Sequence, residues 1–400
     1  MKKILLKILI FLLLLTIAEA KDAYKTPPLP RPSGRVIQVK TVKELLAAVR
    51  NIKSNTTILV APGIYYLTNS LYFTGGVKNI AIRGKTDNPE DVIIIGRGMK
   101  NPEFGNVPHG IIVGNVQGIL IANLTIRDVY YHPIILLGHS GCESPHIYNC
   151  RLIDAGQQFI KANGGVDNGV VEYTVMEYTS TCRSWYTNGV DVHTGKNWII
   201  RHCLFRNIRA PDNEDRIAGP AILMWSYSKD TICEGNTFIN CDRGIAYGLE
   251  PSRPDDHQGG IIRNNFFYRA PSIPGDVGIG LTNSAKTKVL HNTIILNGTY
   301  PNAIEYRFPA TSGCEIRYNL CDAKIAKRDN ASAIVSNNIT NAKKSWFINP
   351  TTGNLHLRKT AIPVIDQVPT HPDVCYDYDG DPRPIGKACD IGADEFSNKQ

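Results

Sequence analysis

The stretches TICEGNTFINC (231–241), GIIRNNFFYR (260–269) and KVLHNTIIL (288–296) decide the fold of this chain of 400 residues. Each contains an apolar strand, an asparagine and a second apolar strand, and a polar loop follows. The same pattern runs from residue 116 to 340. Internal repeats of ~20–50 residues are typical of solenoids and propellers.

The composition of the repeat selects one solenoid. Each repeat is rich in Val, Ile, Thr, Phe and Tyr, which favours strands and argues against helical solenoids. A propeller blade needs four strands in ~40–45 residues, more than one repeat holds. What remains is a parallel β-helix, in which neighbouring coils bury each other's inner faces.

Aligning the repeats gives one column that is mostly asparagine. Its members are Asn123, Asn149, Thr174, Cys203, Asn236, Asn265, Asn292 and Asn319. Such a column predicts a ladder of side-chain amides that are hydrogen-bonded from coil to coil.

The first twenty residues predict export. Two lysines precede an apolar run over 4–17, and the tripeptide AEA at 18–20 matches the small-residue pattern of a signal peptidase site. The run is shorter than the ~20 residues of a membrane-spanning helix. We therefore expect residues 1–20 to be removed as a signal peptide, which leaves a secreted or periplasmic protein without a membrane span.

The rest of the chain divides into three parts. Residues 21–77 are predicted to form an N-terminal strap and cap, 78–340 the β-helix, and 341–400 a C-terminal cap. In the first part, Thr41 and Glu44 form a capping box at the start of an amphipathic helix. Such a helix would cover the open edge of the first coil.

Cysteine content and charge narrow the class of protein. Ten cysteines fit an oxidising compartment, and we predict a disulfide between Cys375 and Cys389; the others can also be buried thiols. The net charge of +8 is small for this length, and no run of five lysines or arginines occurs. This argues against nucleic acid as a partner, whereas a mildly basic surface suits an acidic polysaccharide. We expect a monomer.

Taken together, the predicted helix followed by ILVAPGIYYL (58–67), the repeat and the asparagine column resemble the pectate-lyase-like superfamily of right-handed parallel β-helix proteins. The resemblance covers about 41–340, and the ending DIGADEF (390–396) is frequent in bacterial secreted members. It implies the fold. It leaves the activity open, because the superfamily contains lyases, hydrolases, epimerases, tailspikes and adhesins.

The second strand of each coil is predicted to present the functional face. Side chains alternate inward and outward along a strand. With the apolar residues inward, one outward column contains Lys161, Asp191, Leu223, Ala246, Gly280 and Glu305. The other contains Asn163, His193, Trp225, Gly248, Thr282 and Arg307. A flat floor with an aromatic platform suits a sugar chain.

This face offers a cationic set of side chains, which suits eliminative cleavage of an acidic, uronate-containing polysaccharide. Such a lyase neutralises the uronate carboxylate and removes the neighbouring C5 proton, often with Ca²⁺ assisting. We predict that Arg243 neutralises the carboxylate and that His193 or His257 takes the proton. The predicted substrate-binding residues are Lys161, Asn163, Asp191, Trp225, Glu305 and Arg307.

Two alternatives stay open. A glycoside hydrolase needs two carboxyl groups ~5–10 Å apart, whereas Asp191 and Glu305 lie four coils apart, or ~19 Å. The loop acids Asp212 and Asp215 could supply further carboxylates, or bind Ca²⁺ as a cofactor. The other alternative is a glycan-binding surface protein without catalytic activity.

Overall fold

Three long parallel sheets wind around a common core in this computed structural model, which describes residues 26–397. Each coil of the chain gives one strand to each sheet, and strands that neighbour each other within these sheets run parallel. Connections between parallel strands of one sheet are right-handed. The fold is therefore the right-handed parallel β-helix that the repeat predicts. The predicted signal peptide lies outside the described residues.

The sheets are named here by their roles. Within the described residues, the ladder sheet contains the strands Arg35–Val39, Thr56–Val60, Val77–Gly84, Val116–Ala122, His146–Tyr148, Val170–Glu172, Ile199–Arg201, Ile232–Glu234, Ile261–Arg263, Lys288–Leu290, Cys314–Arg317 and Ala333–Ser336. The back sheet contains Gly63–Tyr66, Val92–Ile95, Thr125–Val129, Arg151–Ala155, Val175–Glu177, Leu204–Arg206, Thr237–Ile239, Phe266–Tyr268, Thr293–Ile295 and Leu320–Cys321. The groove sheet contains Leu71–Phe73, Ile111–Gly114, Ile134–Leu137, Ile160–Asn163, Val190–His193, Ile222–Trp225, Ile245–Tyr247, Ile279–Thr282, Asn302–Arg307 and Lys324–Arg328.

Smaller elements complete the chain. A corner sheet pairs the short strands Ser228–Lys229, His257–Gln258 and Ser284–Ala285, and an antiparallel hairpin joins Phe347–Asn349 to Asn354–Leu357. Short 3₁₀ helices span Pro89–Asp91, Gly138–Ser140, Lys344–Trp346 and Pro350–Thr352. Strands of the ladder sheet begin at Arg35, so the β-helix starts before residue 78, where the sequence had placed its beginning.

Buried asparagines connect successive coils through their side chains. In this asparagine ladder, the Nδ2 atom of each member donates to the Oδ1 atom of the next, over 2.9–3.0 Å. Its members are Asn236, Asn265, Asn292, Asn319 and Asn338. Each of the middle three amides also donates to a backbone carbonyl of the preceding coil, as Asn265 does to Cys233 over 3.0 Å. The ladder thus gives hydrogen-bond partners to buried amides that would otherwise destabilise the fold.

The predicted asparagine column was wrong by one residue at its start. The strand register places Leu124 and Cys150, rather than Asn123 and Asn149, level with Thr174. The two asparagines have positive φ angles of 55° and 47°, which asparagine tolerates better than most residues. Since both neighbouring positions favour asparagine, the sequence alone does not separate them.

An α-helix, α1, spans Val42–Arg50 near the N-terminus, as predicted. The Thr41 hydroxyl accepts a hydrogen bond from the backbone N–H of Glu44, whose carboxylate in turn accepts from the N–H of Lys40. Its apolar face packs on the first strands of the β-helix through Leu45, Ala48 and Val49. That α1 covers the first coil stays a prediction.

The C-terminal segment packs on the outer side of the back sheet and also contacts the ladder sheet, where Lys288 pairs with Asp373. Residues 31–397 belong to one compact unit. The buried Arg383 guanidinium bonds to the Glu395 carboxylate over 2.6 Å and to the carbonyl of Gly392 over 2.9 Å. The Ala393 N–H donates to the Thr293 hydroxyl of the back sheet. The ending DIGADEF therefore packs against the side of the coils.

The helices of the described residues give no membrane span, because none combines the necessary length with sufficient hydropathy.

The predicted disulfide is not formed. All ten cysteines lie in the described part of the chain and are free thiols. Cys389 is buried and its backbone pairs with Val368, whereas Cys375 is exposed and its thiol faces the carbonyl of Pro372. Closeness in sequence therefore does not bring the two sulfur atoms together.

We predict that loss of one ladder amide destabilises the whole coil stack. Asn265→Ala removes one side chain that both donates and accepts, so we expect a loss of about 1–3 kcal/mol in the free energy of unfolding, measured by urea denaturation. Asn341→Ala is the matched control, because Asn341 is exposed and its side chain makes no hydrogen bond within residues 26–397. Equal effects of the two substitutions would contradict the role of the ladder.

We predict that thiol labelling of the native protein modifies Cys375 first. This thiol is exposed, whereas burial raises the pKa of the Cys389 thiol to about 11 and shields the remaining cysteines. Mass spectrometry after brief alkylation without reductant should find one label, on the Cys375 peptide, and Cys375→Ser should abolish it. A linked Cys375–Cys389 peptide would contradict the structure.

Candidate functional site

The register of the groove sheet confirms the predicted outward face. Its paired positions run from Lys161 through Asp191, Leu223, Ala246 and Gly280 to Glu305. The alternating residues between them point into the core and are fully buried, as are Ile160, Val190, Ile222 and Ile279. The outward columns therefore form the floor of a groove, as the alternation rule requires.

Four of the predicted residues meet on this face, in what we call the Lys161 cluster: Lys161, Asp191, His193 and Trp225. The Lys161 ammonium lies 2.5 Å from Asp191 Oδ2 and 2.8 Å from His193 Nε2. The Trp225 indole N–H donates to Asp191 Oδ1 over 2.9 Å. Every oxygen of the Asp191 carboxylate therefore has a partner within the cluster.

Asp191 is an ionised carboxylate in a buried position. Burial alone would raise the pKa of Asp191, but the hydrogen bond with His193 and the positive charge of Lys161 outweigh it and hold the pKa below its ordinary value. Lys161 is buried as well. The two charges neutralise each other beneath the groove surface, which is the condition for keeping either of them there.

His193 is the ionisable residue of the cluster that a ligand can reach. Its side chain is 30% exposed, compared with 7% for Lys161 and 4% for Asp191. The ring stands edge-on against the Trp225 indole, with centroids 4.6 Å apart. Its Nε2 atom faces Lys161 and Asp191, and its Nδ1 atom has no hydrogen-bond partner among residues 26–397. Asn163 lies one coil away and is half-buried.

Two residues that the sequence analysis missed flank this cluster. The Arg253 guanidinium lies 5.6 Å from the centre of the Trp225 ring and pairs with Asp256 over 2.8 Å. Tyr186 is 45% exposed, and its partial burial together with the charge of Asp191 raises the pKa of Tyr186. Both come from loops, where no periodicity marks a side chain as groove-facing; the aromatic pair in SWYT (184–187) was the available signal.

Arg243 does not reach the Lys161 cluster, contrary to the prediction. The register places it two coils after His193 and five residues earlier along the strand direction. This corresponds to about 16 Å along the strands and about 10 Å across them, so the two side chains cannot contact one sugar ring. Arg243 instead pairs with Asp276 over 3.0 Å.

His257 is not at the groove either, which corrects the second catalytic prediction. It lies in the corner-sheet strand His257–Gln258 and is fully buried. Its ring bonds to the hydroxyls of Thr231 and Ser284, and burial lowers the pKa of His257 to about 3. The loop that precedes it is exposed, but its end pairs with neighbouring coils and takes the histidine inside.

A second recess, the Arg243 cleft, has a volume of about 140 Å³ and is lined by Arg243, Asp276, Glu305 and Arg307 above a floor of Ala246 and Gly280. The Glu305 carboxylate accepts hydrogen bonds from Asn302, Tyr300 and Arg328. Arg307 pairs with Asp329 over 2.8 Å, and not with Glu305. The cleft thus contains both signs of charge.

The proposed metal ligands Asp212 and Asp215 are not brought together with other ligands. Asp212 is 90% exposed and pairs with Arg209, and Asp215 is exposed too. Among residues 26–397, neither belongs to a group of three side chains that could hold an ion. That calcium is a cofactor stays a prediction, but Asp212 and Asp215 do not form a site for it.

Comparison with known proteins supports the fold. The pectate lyase Pel9A is 13% identical to this chain, with a TM-score of 0.56 over 91% of this chain and 97% of its own. The chain has the fold of the pectate-lyase-like proteins. An alginate lyase from Paenibacillus sp. is 14% identical over 77% of this chain and 100% of its own, with a TM-score of 0.49. The adhesin PfbA of Streptococcus pneumoniae is 13% identical over 74% and 88%, with a TM-score of 0.47. No family model and no curated protein matches the sequence.

We predict that Asp191→Asn strongly destabilises the protein, because it leaves the buried Lys161 charge uncompensated. The expected loss is about 3–5 kcal/mol in the free energy of unfolding at neutral pH. Since folding lowers the pKa of Asp191, its contribution is present above about pH 4 and is lost as pH falls through the folded-state value. Urea denaturation at pH 7 and pH 3 measures both effects.

Asp212→Asn is the control for this substitution, since Asp212 forms only an exposed ion pair. Exposed pairs contribute about 0–1 kcal/mol. A pH-independent difference between Asp191→Asn and the unaltered protein would contradict the charge assignment.

Proposed function

We propose that the protein is a polysaccharide lyase that cleaves an acidic, uronate-containing polysaccharide by β-elimination. One observation supports this most: an accessible imidazole, His193, stands beside an indole platform and above a buried ammonium–carboxylate pair. Elimination needs a base that can touch the sugar and a polar environment that stabilises its protonated form. The Lys161 cluster offers both.

In this proposal His193 takes the C5 proton. The step uses the tautomer with the proton on Nε2, facing the Asp191 carboxylate 3.5 Å away, while the Lys161 ammonium donates to Asp191; Nδ1 then holds the lone pair that takes the C5 proton. The Asp191 carboxylate, 3.5 Å from Nε2, stabilises the imidazolium that results. Lys161 and Asp191 act as positioning residues because they are buried beneath the ring.

The substrate is held by groups on either side of the base. Trp225 supports the apolar face of a sugar ring, and Arg253, beside that indole, takes the role of neutralising the uronate carboxylate that the sequence had assigned to Arg243. Arg243 and Arg307 lie in the Arg243 cleft, where they bind the carboxylate of a neighbouring uronate unit of the polysaccharide. We propose Ca²⁺ as an additional neutralising ion that arrives with the substrate.

The proposed location is outside the cytoplasm. Residues 1–20 have the pattern of a signal peptide, and polysaccharides of this class are too large to enter a cell intact. The fold shared with pectate lyase Pel9A is consistent with this setting. A monomeric protein with its groove open to solvent suits such a substrate.

Hydrolysis at the Arg243 cleft is a second candidate. The Tyr300 hydroxyl bonds to Glu305 over 3.0 Å and also faces Asp276, and burial together with both carboxylates raises the pKa of Tyr300. Asp276 and Glu305 both line this cleft, and a glycoside hydrolase needs two carboxyl groups ~5–10 Å apart. Asp191 and Glu305 remain four coils apart and do not form such a pair.

We predict that the purified protein releases unsaturated uronate products from one member of a panel of uronic-acid polysaccharides, followed by ultraviolet absorbance with and without EDTA. His193→Ala should lower kcat by about 10²–10⁴-fold without unfolding the protein. His146→Ala is the control, because His146 pairs with Glu172 on the ladder sheet, away from the groove.

Each other outcome identifies an alternative. Saturated products that depend on Asp276 and not on His193 would establish the hydrolase. Binding without any product would establish a glycan-binding protein. Full activity of His193→Ala would place the elimination chemistry elsewhere on the face.

A further inference from the structure

Three separate segments bring metal-ligating side chains together on the outer side of the back sheet, far from the groove. His356 comes from the hairpin strand Asn354–Leu357, Asp379 from the loop that follows Tyr378, and Asp394 from the ending DIGADEF. One ligand atom from each lies within 4.8 Å of the other two. Within residues 26–397, no other group of three or more His, Cys, Asp or Glu side chains has such spacing.

The measured distances suit a shared cation. His356 Nε2 lies 2.8 Å from Asp379 Oδ2 and 4.0 Å from Asp394 Oδ1. Ligands that sit ~2.0–2.2 Å from one ion are separated from each other by at most about 4.4 Å. Only small side-chain rotations are needed for all three atoms to meet one ion.

A second observation concerns the other nitrogen of the histidine. His356 Nδ1 lies 2.7 Å from Asn354 Oδ1, and the backbone N–H of His356 donates to the same oxygen. An oxygen that accepts from the backbone accepts from the ring as well, so Nδ1 carries a proton. Without an ion, Nε2 also carries a proton, which it donates to Asp379 over 2.8 Å; a bound cation displaces that proton and takes the Nε2 lone pair. Metal-bound histidines are oriented in this manner by a partner on the second nitrogen.

The carboxylates are oriented from outside the group too. The Leu357 N–H donates to Asp394 Oδ2 over 2.7 Å, and Asp394 Oδ1 is the oxygen that lies 4.0 Å from His356 Nε2. The backbone N–H of Asp379 donates to Asp377 and fixes the loop. Asp394 is buried, with 1% of its side chain exposed, whereas Asp379 is 36% exposed. The group therefore has a rigid inner side and an open outer side through which an ion can enter.

The ring itself is fixed by aromatic packing. The His356 imidazole stands edge-on against Phe266 of the back sheet, with centroids 5.2 Å apart, and against Tyr378 at 5.5 Å. Tyr378 stacks on Phe266 and its hydroxyl bonds to Thr237. His356 and the loop that contains Asp379 are thus both anchored to the coil that contains Phe266.

We propose that His356, Asp379 and Asp394 bind one divalent transition-metal ion of the Zn²⁺ or Mn²⁺ class. One imidazole and two carboxylates suit these ions, whereas Ca²⁺ prefers a shell of oxygen ligands alone. The ion fastens the hairpin, the loop and the C-terminal ending to each other and to the back sheet. This site is independent of the proposed lyase activity.

The test uses the full chain, freed of metal by dialysis against a chelator and titrated with Zn²⁺, Mn²⁺ or Ca²⁺ alone by calorimetry. We expect one Zn²⁺ or Mn²⁺ per chain, weaker binding of Ca²⁺, and a Tm that rises with either transition ion. His356→Gln should lower the affinity by at least about tenfold, and Asn354→Ala, which leaves all three ligands, by about 10–100-fold. Pulsed electron paramagnetic resonance of the Mn²⁺ complex should show coupling to an imidazole nitrogen that His356→Gln removes.

Asp381→Asn is the matched control, because Asp381 is an exposed aspartate of the same loop whose side chain makes no contact with the group. Its affinity should equal that of the unaltered protein. The proposal is overturned if neither Zn²⁺ nor Mn²⁺ binds saturably, which would leave a His356–Asp379 ion pair. It is also overturned if Asn354→Ala and His356→Gln bind as tightly as the unaltered chain. Should His356→Gln fail to fold, Asn354→Ala decides the question.

Discussion

The stack of coils depends on a buried amide that can bond to its own copy in the next coil. Each member of the asparagine ladder donates to the following asparagine and accepts from the preceding one, so no amide in the middle of the ladder lacks a partner. A coil shifted by one residue would break these bonds and turn every strand side chain to the other face. The ladder therefore helps to keep coils in register, and the register determines which side chains form the groove floor.

Periodic features of the sequence were the ones that could be predicted. The repeat predicted the β-helix, and strand alternation predicted that Asp191 and His193 face outward and that Trp225 lies beside them; the structure agrees on both. The alternation rule applies to these residues because they lie within strands that pair with a neighbour on each side. The alternation rule did not predict the hydrogen bonds among these side chains, because a position in a column does not determine the rotamers that bring Lys161 to Asp191.

The errors that concern the site fall where periodicity ends. Arg243 precedes its strand, and His257 lies in a strand of two residues, so no alternation indicated where either side chain points. Arg253 and Tyr186 were missed for the same reason. Cys375 and Cys389 illustrate a related limit. The thirteen residues between them contain no helix or paired strand that would align the two side chains, and a disulfide needs Cα atoms within ~7 Å. Loop geometry depends on tertiary contacts that a single sequence does not display.

The buried Lys161–Asp191 ion pair lies in a column that continues with Leu223, Ala246 and Gly280 before it reaches Glu305, and this contrast is the strongest reason to look for function there. The positions equivalent to Lys161 and Asp191 in the next three coils are Leu223, Ala246 and Gly280, so the β-helix does not need charge at this place. Replacing a buried ion pair by apolar residues is often neutral or stabilising by ~1–4 kcal/mol. The proposed role of this face therefore depends on two residues that the stacking of coils does not require and that contact an accessible histidine.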